Sequence, residues 1–223
     1  MPPEVFTAPY KNPVGGNPEA VRSNLRESMR LLKEAGFEIR ERKLVDPQGK
    51  PVSVEFLADS TMEKLILFYK PSLERIGLTV SIRIVDDAQY ENRLRTFDFD
   101  ITTKVWGESL SPGNEQLEYW GSQSANVQGS QNLCGIQNPA IDALIQQVIF
   151  AKDRATLTAA TRALDRVLLW NFYLVPHYTS DTLRYARWDR FSHPEPLPTY
   201  GISGFPALWW WDADKAARIG KRS

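Results

Sequence analysis

Apolar positions recur along this chain at two periods, and the switches between them outline its elements. Val21, Leu25, Met29 and Leu32 fall on one helical face. Asn17-Pro18-Glu19 opens that helix as cap, first-turn proline and early acid, and Gly36 closes it. Residues 43–52 read as two short strands around the Asp46–Lys50 turn, and Val52, Val54 and Phe56 alternate with polar residues as a half-buried strand. Ser60-Thr61-Met62-Glu63 has the spacing of a capping box, predicting a helix that points Leu65, Phe68, Leu73 and Ile76 inward. Pro71 should kink or divide that helix, because proline lacks the backbone donor.

Val80, Ile82 and Ile84 then mark a strand, Asp87 caps a short helix carrying Tyr90 and Leu94, and Phe99–Val105 follows as a third strand. Strands and helices alternating at these spacings predict parallel β-α-β units and an α/β fold. Asn138-Pro139 and Asp153 start two more helices with apolar faces, an αα-hairpin expected to cover one side of the sheet. Phe172–Tyr178 reads as a strand, with Asp181–Trp188 pairing near it.

Residues 106–137 are rich in Gly, Ser, Asn and Gln and too long for an idle connection. They begin where the third strand ends, the place at which α/β folds hold ligands. Trp106, Tyr119 and Trp120 supply flat apolar surface, while Glu108, Ser109, Ser111, Asn114 and Gln116 supply polar contacts. Apolar walls with a few convergent polar groups are what a binding pocket needs. Arg93 or Arg95 could hold a carboxylate bidentately, and Glu108 a cation.

Composition narrows the classes. Lysine plus arginine, at 27, balance 27 aspartates and glutamates, so no basic excess marks a nucleic-acid partner. The single Cys134 and the two histidines, His177 and His193, argue against a disulfide framework or a metal centre, and no cofactor motif is present. Enzyme chemistry has thin support. Asp98 and Asp100 share a strand face as a carboxylate pair might, but solvated acids at a strand start are far commoner. Ser109, His177 and Asp181 lack a nucleophile elbow, and Cys134 suits a structural thiol better than a nucleophile. Pro2–Pro18 carries no predicted helix or strand and reads as a lead-in cut from a longer protein. Trp209–Trp211 gives the tail a patch suited to contact with something else.

Several stretches together resemble a known family. They are Asn24-Leu25-Arg26, Leu31-Leu32-Lys33-Glu34-Ala35-Gly36, Asn92-Arg93-Leu94, Phe97-Asp98-Phe99-Asp100, Trp106 through Gln116, Ala163 through Trp170, and Trp210-Trp211-Asp212. They resemble the substrate-binding proteins of ABC peptide importers, the oligopeptide/dipeptide-binding family, most closely its microcin C and murein-peptide type. The likeness covers the whole chain and only the C-terminal part of such a protein.

The resemblance implies a type II periplasmic-binding-protein-like lobe, a mixed sheet of β-α-β units with helices packed on it. Residues 1–223 would form the second lobe of a bilobed protein that closes on an extended peptide by hinge motion. Residues 1–17 would lead in, and 197–223 would return to the missing N-terminal lobe. The implied role is peptide capture, not catalysis, with delivery to the membrane subunits of an ABC importer in the periplasm. Ligand contacts are expected from Trp106, Gly107, Glu108, Ser109, Leu110, Ser111, Asn114, Tyr119, Trp120 and Arg93. In peptide-binding relatives an acid in this motif meets the peptide α-amine. Ser109 stands at that position here, so either Glu108 takes the role or the ligand's amino end is blocked.

Overall fold

The computed structural model describes residues 1–177, 179, 186–197 and 207–219. They belong to two compact units, Met1–Val175 and Pro176–Ser223.

The strands of the first unit follow from crossover geometry. β3 (Ser53–Ala58) and β4 (Thr79–Ile84) lie parallel, Ser53 opposite Thr79 and Ala58 opposite Ile84. A parallel pair needs a long connection, and α3 (Glu63–Arg75) supplies it. The apolar run Leu65–Tyr69 offers this helix two possible inner faces. Ile66, Tyr69 and Leu73 are the ones that pack on Phe56, Ala58 and Val80, while Phe68 turns out and is 86% exposed, against expectation. Pro71 is exposed and the helix runs through it unbroken. The predicted capping box does not form; Asp59 instead accepts the Thr61 and Met62 amides at 2.7 and 3.1 Å.

The expected third strand shrinks to one rung. Ile101 bridges Phe56 in parallel, with Leu57 N donating to Ile101 O at 2.8 Å. Side chains fill the neighbouring ladder positions. Asp100 Oδ2 accepts the Glu55 amide at 2.9 Å, and the Thr102 hydroxyl donates to Leu57 O at 3.2 Å. Tyr90, on α4 (Asp87–Arg95), donates its hydroxyl to Thr103 O at 2.9 Å. The cap of α4 is Asp86, not Asp87, accepting Gln89 N at 2.9 Å.

A hairpin absent from the sequence reading joins β1 (Glu38–Arg40) to β2 (Lys43–Val45). Its two turn residues, Glu41 and Arg42, have φ of 51° and 65°, the signs of a type I′ turn. The expected turn at Asp46–Lys50 does form and leads into β3, but the two strands around it meet only at the Val45–Pro51 bridge, β2 pairing with β1 and β3 with β4. α2 (Pro18–Glu34) is capped by Asn17 as expected, yet no residue on it is fully buried.

The helical half of this unit has its own core. α6 (Pro139–Ile149) and α7 (Arg154–Trp170) form the expected hairpin, capped by Asn138 and Asp153. Ile141, Ile145, Val148, Ala160, Leu164 and Val167 cluster with Val5, Trp120 and Ile136. No strand residue belongs to that cluster, so the helix pair builds a separate core and does not cover the sheet. Val5 comes from α1 (Glu4–Thr7), a helix in the stretch predicted to have none. The Arg166 guanidinium on α7 donates to the carbonyls of Glu4, Val5 and Ala8, satisfying the acceptors that a helix end leaves open. The indole of Trp170 adds a bond to Ala8 O at 3.2 Å.

Residues 172–177 form no strand, and Phe172, at φ 55°, turns the chain after α7. In the second unit β5 (Phe191–Ser192) pairs antiparallel with β6 (Trp210–Trp211), and Asp212 caps α8 (Ala213–Ile219). Trp209 lies between the His193 ring, 4.3 Å away, and the Arg187 guanidinium at 4.5 Å, while Trp210 and Trp211 stay exposed. The predicted strand at 181–188 lies mostly outside the described residues.

Candidate functional site

The bend after the third strand is shaped by one short helix, α5 (Glu115–Trp120). The Tyr119 hydroxyl donates to Gly107 O at 3.1 Å. The Gln116 amide nitrogen donates to both carboxylate oxygens of Glu108, at 2.9 and 3.0 Å. Gln116 is only 4% exposed, so this amide is a fixed fitting rather than a surface side chain. Trp120 is buried in the helical core, and the Trp106 ring rests on it with centroids 4.9 Å apart and planes tilted by 42°. The Trp106 indole N–H donates to Gln131 O at 3.2 Å.

Gln131 belongs to a loop whose backbone is held by buried polar side chains. Asn132 is fully buried; its amide donates to Gly121 O and Ile136 O, and its oxygen accepts Ile136 N at 2.9 Å. Ser124 and Ser130 extend the network to Leu117 O and Ser124 O. A loop satisfied internally in this way is rigid support.

Between the bend and α7 lies a cavity of about 470 Å³. Trp106, Leu110, Pro112 and Trp120 meet Leu157, Leu164 and Leu168 across it, giving an apolar floor. Glu108, Ser109 and Gln116 from the bend, and Arg154, Thr158, Thr161, Arg162 and Asp165 from α7, supply its polar groups. Residues 107–111 are all exposed, so the bend stands in solvent as a wall of this hollow. The Arg154 guanidinium donates to Leu110 O and ties the two walls together.

Among the described residues, Glu108, Arg154, Arg162 and Asp165 make no ion pair with one another or with other side chains. Burial pushes the Asp165 carboxyl up, although its surface remains open to water. Burial also opposes ionisation of Glu115, but hydrogen bonds from Gly113 N, its own amide and Gln116 outweigh it and hold that carboxyl below its ordinary value. Burial raises the Cys134 thiol, which makes it a poor nucleophile.

Known proteins resemble this chain in sequence and in fold. The family model for bacterial extracellular solute-binding proteins, family 5 (middle), matches residues 1–128. The chain belongs to this family. It is 53% identical over 212 residues to y4wM of Sinorhizobium fredii, covering 94% of this chain and 32% of the relative. It is 51% identical over 212 residues to the probable peptide-binding protein YejA of Agrobacterium fabrum, covering 94% and 34%. The chain thus spans about a third of the length of the curated relatives it matches. Among solved structures, the oligopeptide-binding protein AppA of Bacillus subtilis, in complex with a nonapeptide, superposes with a TM-score of 0.60. Its identity is 19%, covering 66% of this chain and 30% of AppA. That likeness bears on the fold, which is α/β and of the type II solute-binding class as the sequence implied.

The structure of this family member brings together Trp106, Glu108, Ser109, Leu110 and Trp120 around one cavity. Gly107 and Tyr119 lie beside it, bonded to each other. Ser111 donates its amide to Ser109 Oγ at 3.0 Å, and Asn114 lines a second depression of about 510 Å³ with Leu117, Gln123 and Gln128. Arg93 is not at the cavity; it pairs with Asp98 at 2.9 Å. Asp98 and Asp100, the candidate acids of a hydrolase, therefore both have structural partners. Of the Ser109-His177-Asp181 set, His177 belongs to the second unit and Asp181 lies outside the described residues. Sequence reasoning missed the α7 wall. Arg154, Thr158, Thr161 and Asp165 recur at steps of three and four, a polar stripe beside the apolar face.

Proposed function

We propose that this chain is one lobe of a bilobed, exported peptide-binding protein that hands its ligand to the membrane subunits of an ABC importer. The observation that carries the reading is the cavity of about 470 Å³ between the exposed bend 107–111 and the polar flank of α7. An apolar floor with polar groups at its walls suits a peptide, whose side chains need the one and whose backbone and termini need the other. The name of the Agrobacterium relative and the nonapeptide bound to AppA agree with that class. The chain's share of its relatives' length agrees with a partial cleft closed by another lobe.

In this reading Trp106 to Asn114 forms the lobe's half of the cleft, and Glu108 offers its charge to a cationic group of the ligand. The site binds and releases; it carries out no bond chemistry. A periplasmic location follows for the whole protein, as for other extracellular solute-binding proteins. Titration calorimetry of the full-length protein with oligopeptides tests the assignment. Trp106→Ala is expected to weaken binding about ten-fold or more, in the range of an aromatic anchor, with the melting temperature recorded alongside. Unchanged affinity in a folded Trp106→Ala protein overturns the site. Cleavage of muropeptides on incubation overturns the binding-only reading.

A further inference from the structure

A carboxylate at a cavity wall needs something to aim it, and in this molecule that something is an uncharged side chain. Glu108 is exposed and carries no cationic partner among the described residues, yet both of its oxygens are held by the Gln116 amide nitrogen. Gln116 is itself buried, and the same nitrogen lies 3.3 Å from Glu115 Oε1. Only an NH₂ group can face acceptors in this way, so the amide's orientation is set by the carboxylates. One residue before Glu108, the backbone is held by the same helix, through Tyr119 and Gly107 O. α5 therefore grips the bend at adjacent points, one on its main chain and one on its charge.

We infer that Gln116 is a positioning residue for ligand selectivity, holding the Glu108 carboxylate rigid and un-neutralised so that it selects ligands carrying a positive group. The inference rests on the peptide-binding reading above and adds a residue to it. An arginine or lysine in place of Gln116 would aim the carboxylate equally well but would cancel its charge. An amide orients the carboxylate and leaves its full charge for the ligand. Because the glutamine is buried, its rotamer is fixed by packing, so the ordering of the carboxylate is complete before a ligand arrives. That is the condition under which a charged hydrogen bond yields selectivity rather than spending it on side-chain entropy.

The test compares two peptides of one sequence, trialanine with a free amino end and its N-acetyl form, on the full-length protein by calorimetry. The wild type should favour the free amine. Gln116→Met, similar in volume and without the donors, should lower that preference about ten-fold, the scale of one charge-assisted hydrogen bond, read as the ratio of the two affinities within each protein. Glu108→Asp, at an exposed position where folding is not at stake, keeps the charge but draws it back from the amide, and should lose the preference too. In a Glu108→Ala background Gln116→Met should have no further effect on the ratio. If Gln116→Met folds and Glu108→Asp binds, and both keep the wild-type ratio, the positioning role is overturned while the site stands. If the wild type itself binds the two peptides equally, the cationic-ligand reading of Glu108 falls, and the inference with it.

Discussion

The two halves of the first unit are built on different principles, and the difference bears on where a ligand can be held. The strand half has four fully buried residues in its cluster, Phe56, Ala58, Ile66 and Val80, and its third strand gives out after one rung. The helical half has nine, and it adds a loop whose buried polar side chains satisfy the backbone from within. The cavity belongs to the half with the larger core. Its walls are α7 and a bend fastened to α5, and its floor is the core surface itself. A cavity wall on packed support keeps its shape, and the chain reaches this one from the sheet at Trp106.

The largest expected effect breaks the helical half at its polar centre. Asn132→Ala strips Ile136 O and Ile136 N of their buried partner and removes one bond from Gly121 O, which keeps Ser124 N and the Ser124 hydroxyl. It should cost about 3–5 kcal/mol in urea denaturation; a loss below about 1 kcal/mol would mean that the loop supports nothing. Next comes a direct contrast of the halves. Ile145→Ala in the helical core should cost about 3–4 kcal/mol, and Ile66→Ala under the sheet about 2, because the smaller cluster can close on the void. Equal or reversed losses would remove the distinction in packing. The third change strengthens the thin half. Glu41→Asn with Arg42→Gly suits the positive φ of the β1–β2 turn and should stabilise by about 1 kcal/mol, read as a higher denaturation midpoint.

The smallest effect is one of pH, at the cavity wall. Burial raises the Asp165 carboxyl above its unfolded value, so ionising it costs folded-state stability. That cost is absent below the ordinary aspartate range and sets in as pH rises through the folded value. Asp165→Asn should therefore raise the melting temperature at neutral pH and leave it unchanged near about pH 3. A rise of the same size at both ends would assign the effect to something other than this charge.

The elements that could be read from sequence were those announced by local chemistry. Asn17, Asn138 and Asp153 cap the helices they were expected to cap, because each precedes a clear helical period. The parallel β3–β4 pair follows from alternating residues either side of a helix. Failures came where two signals competed. Five apolar residues in a row hid which face of α3 would turn inward, and Glu41-Arg42 carries none of the Asn or Gly that normally announces a type I′ turn. The third strand looked longer than it is because Asp100, Thr102 and Tyr90 replace ladder bonds with side-chain bonds, which periodicity cannot register.

For the candidate site, the bend was legible from its aromatic and polar mixture at a strand end. Its opposite wall was not. Arg154, Thr158 and Asp165 sit on a helix whose apolar face already explained its presence. Arg93 was grouped with the site as a possible carboxylate partner within a family-like stretch, and in the structure it pairs with Asp98.

The truncated third strand also shortens the sheet edge on which a second chain could pair. A full-length edge would display a row of free amides and carbonyls, a template on which neighbouring chains could stack into fibres. Past Ile101 the Tyr90 hydroxyl takes up Thr103 O and the Thr102 hydroxyl turns inward to Leu57 O, which leaves this margin a short and broken template.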